Sequence, residues 1–314
     1  MMRSILPKGV SVVFLSVLML PLFGQKGIED GSKYGHDVDS VNCRKNMSLY
    51  KTYYDQDNYQ MALSFWRLAF YECPSSSNNL HLHGIKMYKS LYAETSDRTY
   101  VDSMNMVYDA RIKYFGEEGK YEGQRGIDLW RLGQDGDKEF LQASYAALSK
   151  SVAIDGKGAD ANTMVVLMGV TQKLYDLRVM DNSQEENIIV NYGRLMDILD
   201  TRIEAVRRPG DIEAKKNIDM IFRAGGVVDC DGLISYFTPK IKESPTDVAL
   251  LKKVLGLLQN TGCNDSELFY TSAENLYKIE KSSMAAYHLA EMNFNKGDND
   301  KAEYYYNEAV TLES

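Results

Sequence analysis

Four cysteines, Cys43, Cys73, Cys230 and Cys263, and four histidines, His36, His81, His83 and His288, are the residues of this 314-residue chain best suited to chemistry. Two chemistries compete for them. Cys73, His81 and His83 lie close in sequence; with Cys43 they make a four-ligand set of the kind that holds zinc. The even cysteine count reads equally as two disulfides. His81 and His83 are two residues apart, on opposite sides of any helix that forms there, which weakens the zinc set. A redox-active thiol is weaker still, because the chain has no Cys-x-x-Cys pair.

The compartment decides between them, and the N-terminus points to export. Arg3 and Lys8 form a basic region, Val10–Phe23 is an almost unbroken apolar run, and Gly24 is a small residue at a plausible cleavage point. That is the layout of a secretory signal peptide over residues 1–24, and the run is short for a spanning helix. An uncleaved membrane anchor is the rival reading. The next cysteine is Cys43, too far along for lipid attachment. The expected location is therefore the periplasm, the outer membrane or the medium, and an oxidising compartment makes disulfides the default.

Other constellations for chemistry are missing. No Gly-rich phosphate loop, His-Glu-x-x-His helix or nucleophile elbow is present. The stretch "DGKG" at 155–158 reads as a helix terminator. The pairs Glu117-Glu118 and Glu185-Glu186 read as charges at helix N-termini, where the macrodipole favours them. The expectation is a protein that is not an enzyme, with no cofactor and no metal. The chain has 36 Lys and Arg against 44 Asp and Glu. Loss of Arg3 and Lys8 with the signal peptide takes the formal charge from −8 to −10. Such a balance argues against nucleic acid or anionic lipid as partner. No segment after the signal peptide is apolar enough to span a membrane.

The elements that must position these residues are helices. In Tyr59–Phe70 the residues Ala62, Phe65, Trp66, Ala69 and Phe70 fall at i, i+3, i+4, i+7 and i+8, one face of a helix. No stretch shows sustained two-residue alternation. Breaks recur about one helix length apart, from "DQDN" at 55–58 through "GQDGD" at 133–137 and "RPGD" at 208–211 to "NKGDND" at 295–300. The expectation is an all-α chain of about 14 helices, paired by short turns into seven antiparallel hairpins and stacked as a superhelix.

The last hairpin carries a repeat signature. In "SMAAYHLAEMNFNKGDNDKAEYYYNEAVTLES" (283–314), Leu289 and Ala290, the "KGD" turn, and the trio Ala302, Tyr306 and Ala309 resemble a tetratricopeptide repeat. The segment 43–76 resembles it in the same frame, with Leu49 and Tyr50, Tyr53, the trio Ala62, Trp66 and Ala69, and Pro74. Tyr50 stands where a small residue is usual, and Asn46 and Ala286 replace the leading Trp. A third copy spans 118–155, with Ala143, Tyr145 and Ala147 as small and aromatic residues. More narrowly, the chain resembles secreted tetratricopeptide proteins of Bacteroidota-type bacteria. "DSV" (39–41) and "DSM" (102–104) resemble the Asp-Ser-apolar O-glycosylation sites of those bacteria.

The domain expectation is a signal peptide at 1–24, a flexible leader at 25–42 and one repeat array at 43–314. Hairpin geometry pairs the cysteines, because Cys43 starts one helix and Cys73 ends the next, and an antiparallel pair brings those points together. The same logic joins Cys230 to Cys263. The resemblance implies that first-helix side chains line a concave groove. Its candidates are Met47, Lys51, Tyr54 and Asp55 in the first repeat and Tyr287, Glu291, Phe294 and Asn295 in the last. The expected function is an exported, non-enzymatic scaffold that binds a protein or peptide in the bacterial envelope. A glycan- or nutrient-binding protein is an alternative, although the glycan-binding proteins it resembles are longer and lipidated. The last repeat stops at Ser314 without a polar capping helix. That raises a further alternative, a truncated part of a larger assembly factor, and the expectation of self-association through the C-terminal face.

Overall fold

The computed structural model describes residues 31–179, 184–225 and 229–313, with the backbone alone at 184–186. The expected signal peptide, residues 1–24, lies outside the described residues. The described residues form fourteen α-helices and no strand. Helix identity follows from local chemistry at the helix starts. Eight helices open on an Asn, Ser or Asp whose side chain accepts from a first-turn amide: Asn58, Ser77, Asp137, Asp160, Asp229, Asp247, Ser266 and Ser282. The turn "DGKG" ends a helix as expected, with α6 closing at Asp155 and a short 3-10 turn at Gly156–Gly158.

The helices gather into two compact units, divided between Ala110 and Arg111. The first contains α1 (Asp37–Tyr54), α2 (Tyr59–Glu72), α3 (Asn78–Thr95) and the start of α4 (Thr99–Phe115). Helix α1 begins six residues inside the span assigned to the leader. Asp37 and Asp39 sit in its first turn, where negative charge stabilises the exposed amides. The repeat frame had set the boundary at the first core residue instead. Both Asp-Ser-apolar sites fall on helices, Ser40 in α1 and Ser103 in α4, where the Ser103 hydroxyl donates to the Thr99 carbonyl at 2.9 Å.

Trp66 centres the core of the first unit. Ala62, Trp66 and Ala69 are all fully buried, as the small–aromatic–small spacing requires. Trp66 stacks on Phe70 at 4.6 Å and meets Tyr88 of α3 edge-on at 5.6 Å. Its indole N–H donates to the Leu80 carbonyl at 2.7 Å, satisfying the one polar atom that burial strands. Tyr50 is only 2% exposed although it stands at a small-residue position.

The second unit runs from α5 (Glu118–Leu132) and α6 (Lys138–Asp155) through α7 (Ala161–Asp176), α8 (Gln184–Ala205), α9 (Pro209–Ala224) and α10 (Cys230–Glu243). It continues with α11 (Val248–Asn260), α12 (Glu267–Ile279), α13 (Ser283–Asn295) and α14 (Asn299–Glu313). Most neighbours pack against each other, α5 also touches α7, and α7 touches α9. First helix against next first helix is the stacking of a helical repeat. One continuous apolar core runs from Leu141 to Met292.

The third repeat copy packs by a different device from the one expected. Ala147 is buried, but Ala143 and Tyr145 are only half-buried. The close approach comes from glycines of α5. A Cβ at Gly126 would fall 2.5 Å from Leu148 Cγ, and one at Gly119 would fall 2.0 Å from an Asp155 carboxylate oxygen. The Ser144 hydroxyl donates to the Gly126 carbonyl at 2.7 Å. Small residues therefore lie on both helices, glycines on α5 and Ser144 and Ala147 on α6.

Charge settles the ends of α5. Glu117 and Glu118 sit at its start. The Glu117 carboxyl is held below its ordinary pKa by hydrogen bonds from Lys120 and Arg111. The Glu185 and Glu186 side chains lie outside the described residues. Deeper in the unit, Arg202 makes a bidentate pair with the buried Asp211, at 3.1 and 2.5 Å, and donates to the Ala159 carbonyl. That clamp ties α8 and α9 to the turn that leads into α7.

Candidate functional site

The cysteines are joined as two disulfides, Cys43–Cys73 and Cys230–Cys263, with Cα–Cα distances of 6.1 and 5.5 Å. Cys73 caps the C-terminus of α2 and meets Cys43 one and a half turns into α1. Cys230 is the first residue of α10, and Cys263 lies three residues past the end of α11. The pairing removes the thiolates that the zinc set needs. His81 is fully buried against Phe70, and His83 stacks on Tyr54. Among the described residues no three His, Cys, Asp or Glu side chains stand close enough to hold a metal. None of their helices is long and apolar enough to cross a membrane.

The first-repeat candidates divide. Lys51, Tyr54 and Asp55 come together where α1 ends, and Met47 turns to the Ser76 hydroxyl, 3.2 Å from its sulfur. The Tyr54 ring stacks on His83 at 4.0 Å. The ammonium groups of Lys51 and Lys86 lie 5.6 and 5.1 Å from its centroid. Lys51 pairs with Asp55, and the Tyr59 hydroxyl donates to Asp57 at 2.6 Å. Burial, then the Lys51 charge, lowers the His83 pKa. Burial, then Tyr54 and Asp55, pushes the Tyr50 hydroxyl up to about 12. These groups satisfy one another, so Tyr54 is packed within a cation–aromatic cluster and is not an open platform.

Among the described residues, an open concavity of the second unit has three adjoining lobes. One of about 240 Å³ lies between α8 and α9 and includes Met196, Lys215 and Asn260. Met196 and Asn260 also line a central lobe of about 400 Å³ between α8 and α11. Met284 joins that lobe to a third, of about 500 Å³, on the α13–α14 hairpin. The trough thus runs along α9, α11 and α13, with α8 as a facing wall. Helix α14 completes the end lobe.

Each lobe has its own chemistry. The end lobe is mostly apolar, formed by Met284, Tyr287, Tyr306, Ala309 and Val310, with Ser283 and Glu313 at its margin. Met284, Tyr287 and Val310 are 43, 44 and 70% exposed. The central lobe is walled by Asp197, Asp200 and Glu204 of α8, one stripe at i, i+3 and i+7. Lys253 of α11 lies over Gly193 and reaches Asp197 at 3.5 Å. Lys215 of α9 pairs with Asp200. Its floor is Tyr192, Met196 and Leu257. The buried Tyr192 hydroxyl donates to Asp219 at 2.8 Å, and burial, then that bond, raises its pKa.

Of the last-repeat candidates, Tyr287 lines the trough and its hydroxyl donates to Glu291 at 3.0 Å. Phe294 and Asn295 are exposed at the end of α13 and are not part of the lining. His288 sits in the core, edge-on to Phe269 at 5.1 Å, with its pKa lowered by burial. The α8 and α11 residues escaped the sequence reading. Their signals are a helical stripe of carboxylates in "DILDTRIE" (197–204) and a glycine within the apolar run "VLGLL" (254–258). Neither says which helices face each other. Compared with models of known protein families and with characterised proteins, the chain matches none.

Proposed function

We propose that the protein is an exported, non-enzymatic scaffold of tetratricopeptide-like hairpins that binds a polypeptide segment along the trough of its second unit. The observation that carries this reading is the continuity of the three lobes through Met196, Asn260 and Met284. A trough of this kind, flanked by preformed helices, is suited to an extended chain, because little of the binding free energy goes into ordering the receptor. Exposed apolar and aromatic side chains in the end lobe provide the anchor contacts that dominate such interfaces. Two disulfides fit an oxidising, extracytoplasmic setting.

The test is selection from a phage-displayed library of random dodecapeptides, run beside a glycan array. The wild-type protein should enrich peptides with a shared pattern, and Val310→Asp with Met284→Asp should lose them. Enrichment that survives both substitutions, or retention of glycans with no peptide enrichment, overturns the reading.

A further inference from the structure

The chemistry of the lobes goes further than a trough for some polypeptide and restricts which one. The inference rests on the trough reading above. In the central lobe the cations are already engaged. Lys253 meets Asp197, Lys215 meets Asp200, and Lys252 turns out of the lobe to Glu280 of α12 at 2.9 Å. Asp197 and Asp200 are the partners of two of these lysines, yet remain open to solvent, and Glu204 is left over. Asp197 is 61% exposed at its side chain and Asp200 47%. Glu204 is exposed and has no ion pair among the described residues. It also sits in the last turn of α8, where the helix macrodipole is negative and a carboxylate is disfavoured. A cation arriving in this lobe meets unneutralised negative charge. An anion meets lysines that already have partners.

Gly256 adds a second, independent observation. It lies in the interior of α11, lines the central lobe, and has nothing within 4 Å of where a Cβ would stand. A helix-interior glycine costs about 1 kcal/mol relative to alanine, and no neighbour here requires that glycine. The other glycine of the lobe, Gly193, is crossed by the Lys253 side chain. Gly256 is where an occupant's backbone can come closest to a trough helix.

We propose that the trough selects a polypeptide segment that combines apolar side chains with lysine or arginine. The apolar side chains fill the end lobe at Met284, Tyr287 and Val310. The cationic side chain takes Glu204 in the central lobe, and the occupant's backbone passes over Gly256. Complementary charge of this kind sets partner choice more than raw affinity.

Fluorescence anisotropy tests this on the full chain at about 150 mM salt, where distant charges are screened. The probe is a fluorescein-labelled dodecapeptide with Leu-Phe-Leu at one end and two lysines five residues on, made in both chain directions. Its control carries glutamates in place of the lysines. The wild type should bind the lysine peptide, in one direction, at least about tenfold tighter than the glutamate peptide, a difference of about 1.4 kcal/mol. Glu204→Lys should narrow that ratio, and Gly256→Trp should weaken binding of the lysine peptide. Circular dichroism melts of both variants report that the fold is retained. Equal binding of the two peptides, still blocked by Gly256→Trp, overturns the charge selection and leaves the trough reading standing. Binding indifferent to Gly256→Trp overturns both. Failure of the wild type to bind the lysine probe in either direction overturns the selection.

Discussion

Gly84 of α3 lies against the face of Trp66, so closely that a Cβ at position 84 would fall 2.3 Å from Trp66 Cζ2. The indole is fully buried and fixed by its bond to the Leu80 carbonyl, so it cannot swing aside. Gly84→Ala should destabilise the first unit by about 1–3 kcal/mol through overpacking, despite the better helix propensity of alanine. Gly256→Ala, in open space, should have the opposite sign and stabilise by up to about 1 kcal/mol. Urea denaturation followed by Trp fluorescence and circular dichroism reads both. The same sign for the two substitutions would refute the packing argument.

The Cys43–Cys73 and Cys230–Cys263 bridges close loops with sequence separations of 30 and 33. In the chain-entropy model each contributes about 3–4 kcal/mol by restricting the unfolded chain. Replacing either pair with serines should lower stability by that order, and a reductant should reproduce the loss in the wild type. Maleimide labelling without reductant, followed by mass spectrometry, should find no free thiol. Labelling of all four cysteines would sink the pairing.

The pairing was legible because it needed only hairpin logic: a short turn forces two helices together, and residues at matching ends meet. The buried trio Ala62, Trp66 and Ala69 was legible for the same reason, since spacing within one helix fixes one face. The trough was not. Asp200 and Gly256, more than fifty residues apart in the chain, are brought to one lobe by α8 and α11, and no local pattern encodes which helix opposes which. Tyr54, expected on the groove, packs against His83 and Lys86 of α3, contacts that no pattern within α1 encodes.

The Arg202–Asp211 clamp should be strongly coupled. Their side chains are 17 and 3% exposed, so deleting one partner strands the other. Asp211→Ala is expected to cost about 3–5 kcal/mol. Adding Arg202→Met to Asp211→Ala should restore part of the loss, because the stranded guanidinium is removed. A double-mutant cycle by chemical denaturation checks this. Strictly additive losses would show that the clamp holds α8 and α9 by packing alone.

His83 and His288 give the fold an acid limit. Burial is the first cause of the lowered pKa at both. At His83 the Lys51 and Lys86 charges add to it, and Asp55 opposes; at His288 the Glu291 carboxylate, 3.7 Å away, opposes. A lowered folded pKa means that the unfolded chain binds the proton more tightly. Stability therefore rises with pH through this window. It should be complete above the ordinary histidine pKa, about 6.5, and decline as pH falls below it toward the folded values. The melting temperature should accordingly be lower at pH 5.5 than at pH 7.5, in a range where most carboxylates remain ionised. His83→Gln with His288→Gln removes both titrating groups and should flatten that difference, even if it lowers stability at every pH. An unchanged pH dependence in the double variant would assign the acid sensitivity to the carboxylates of the α5 and α8 ion pairs instead.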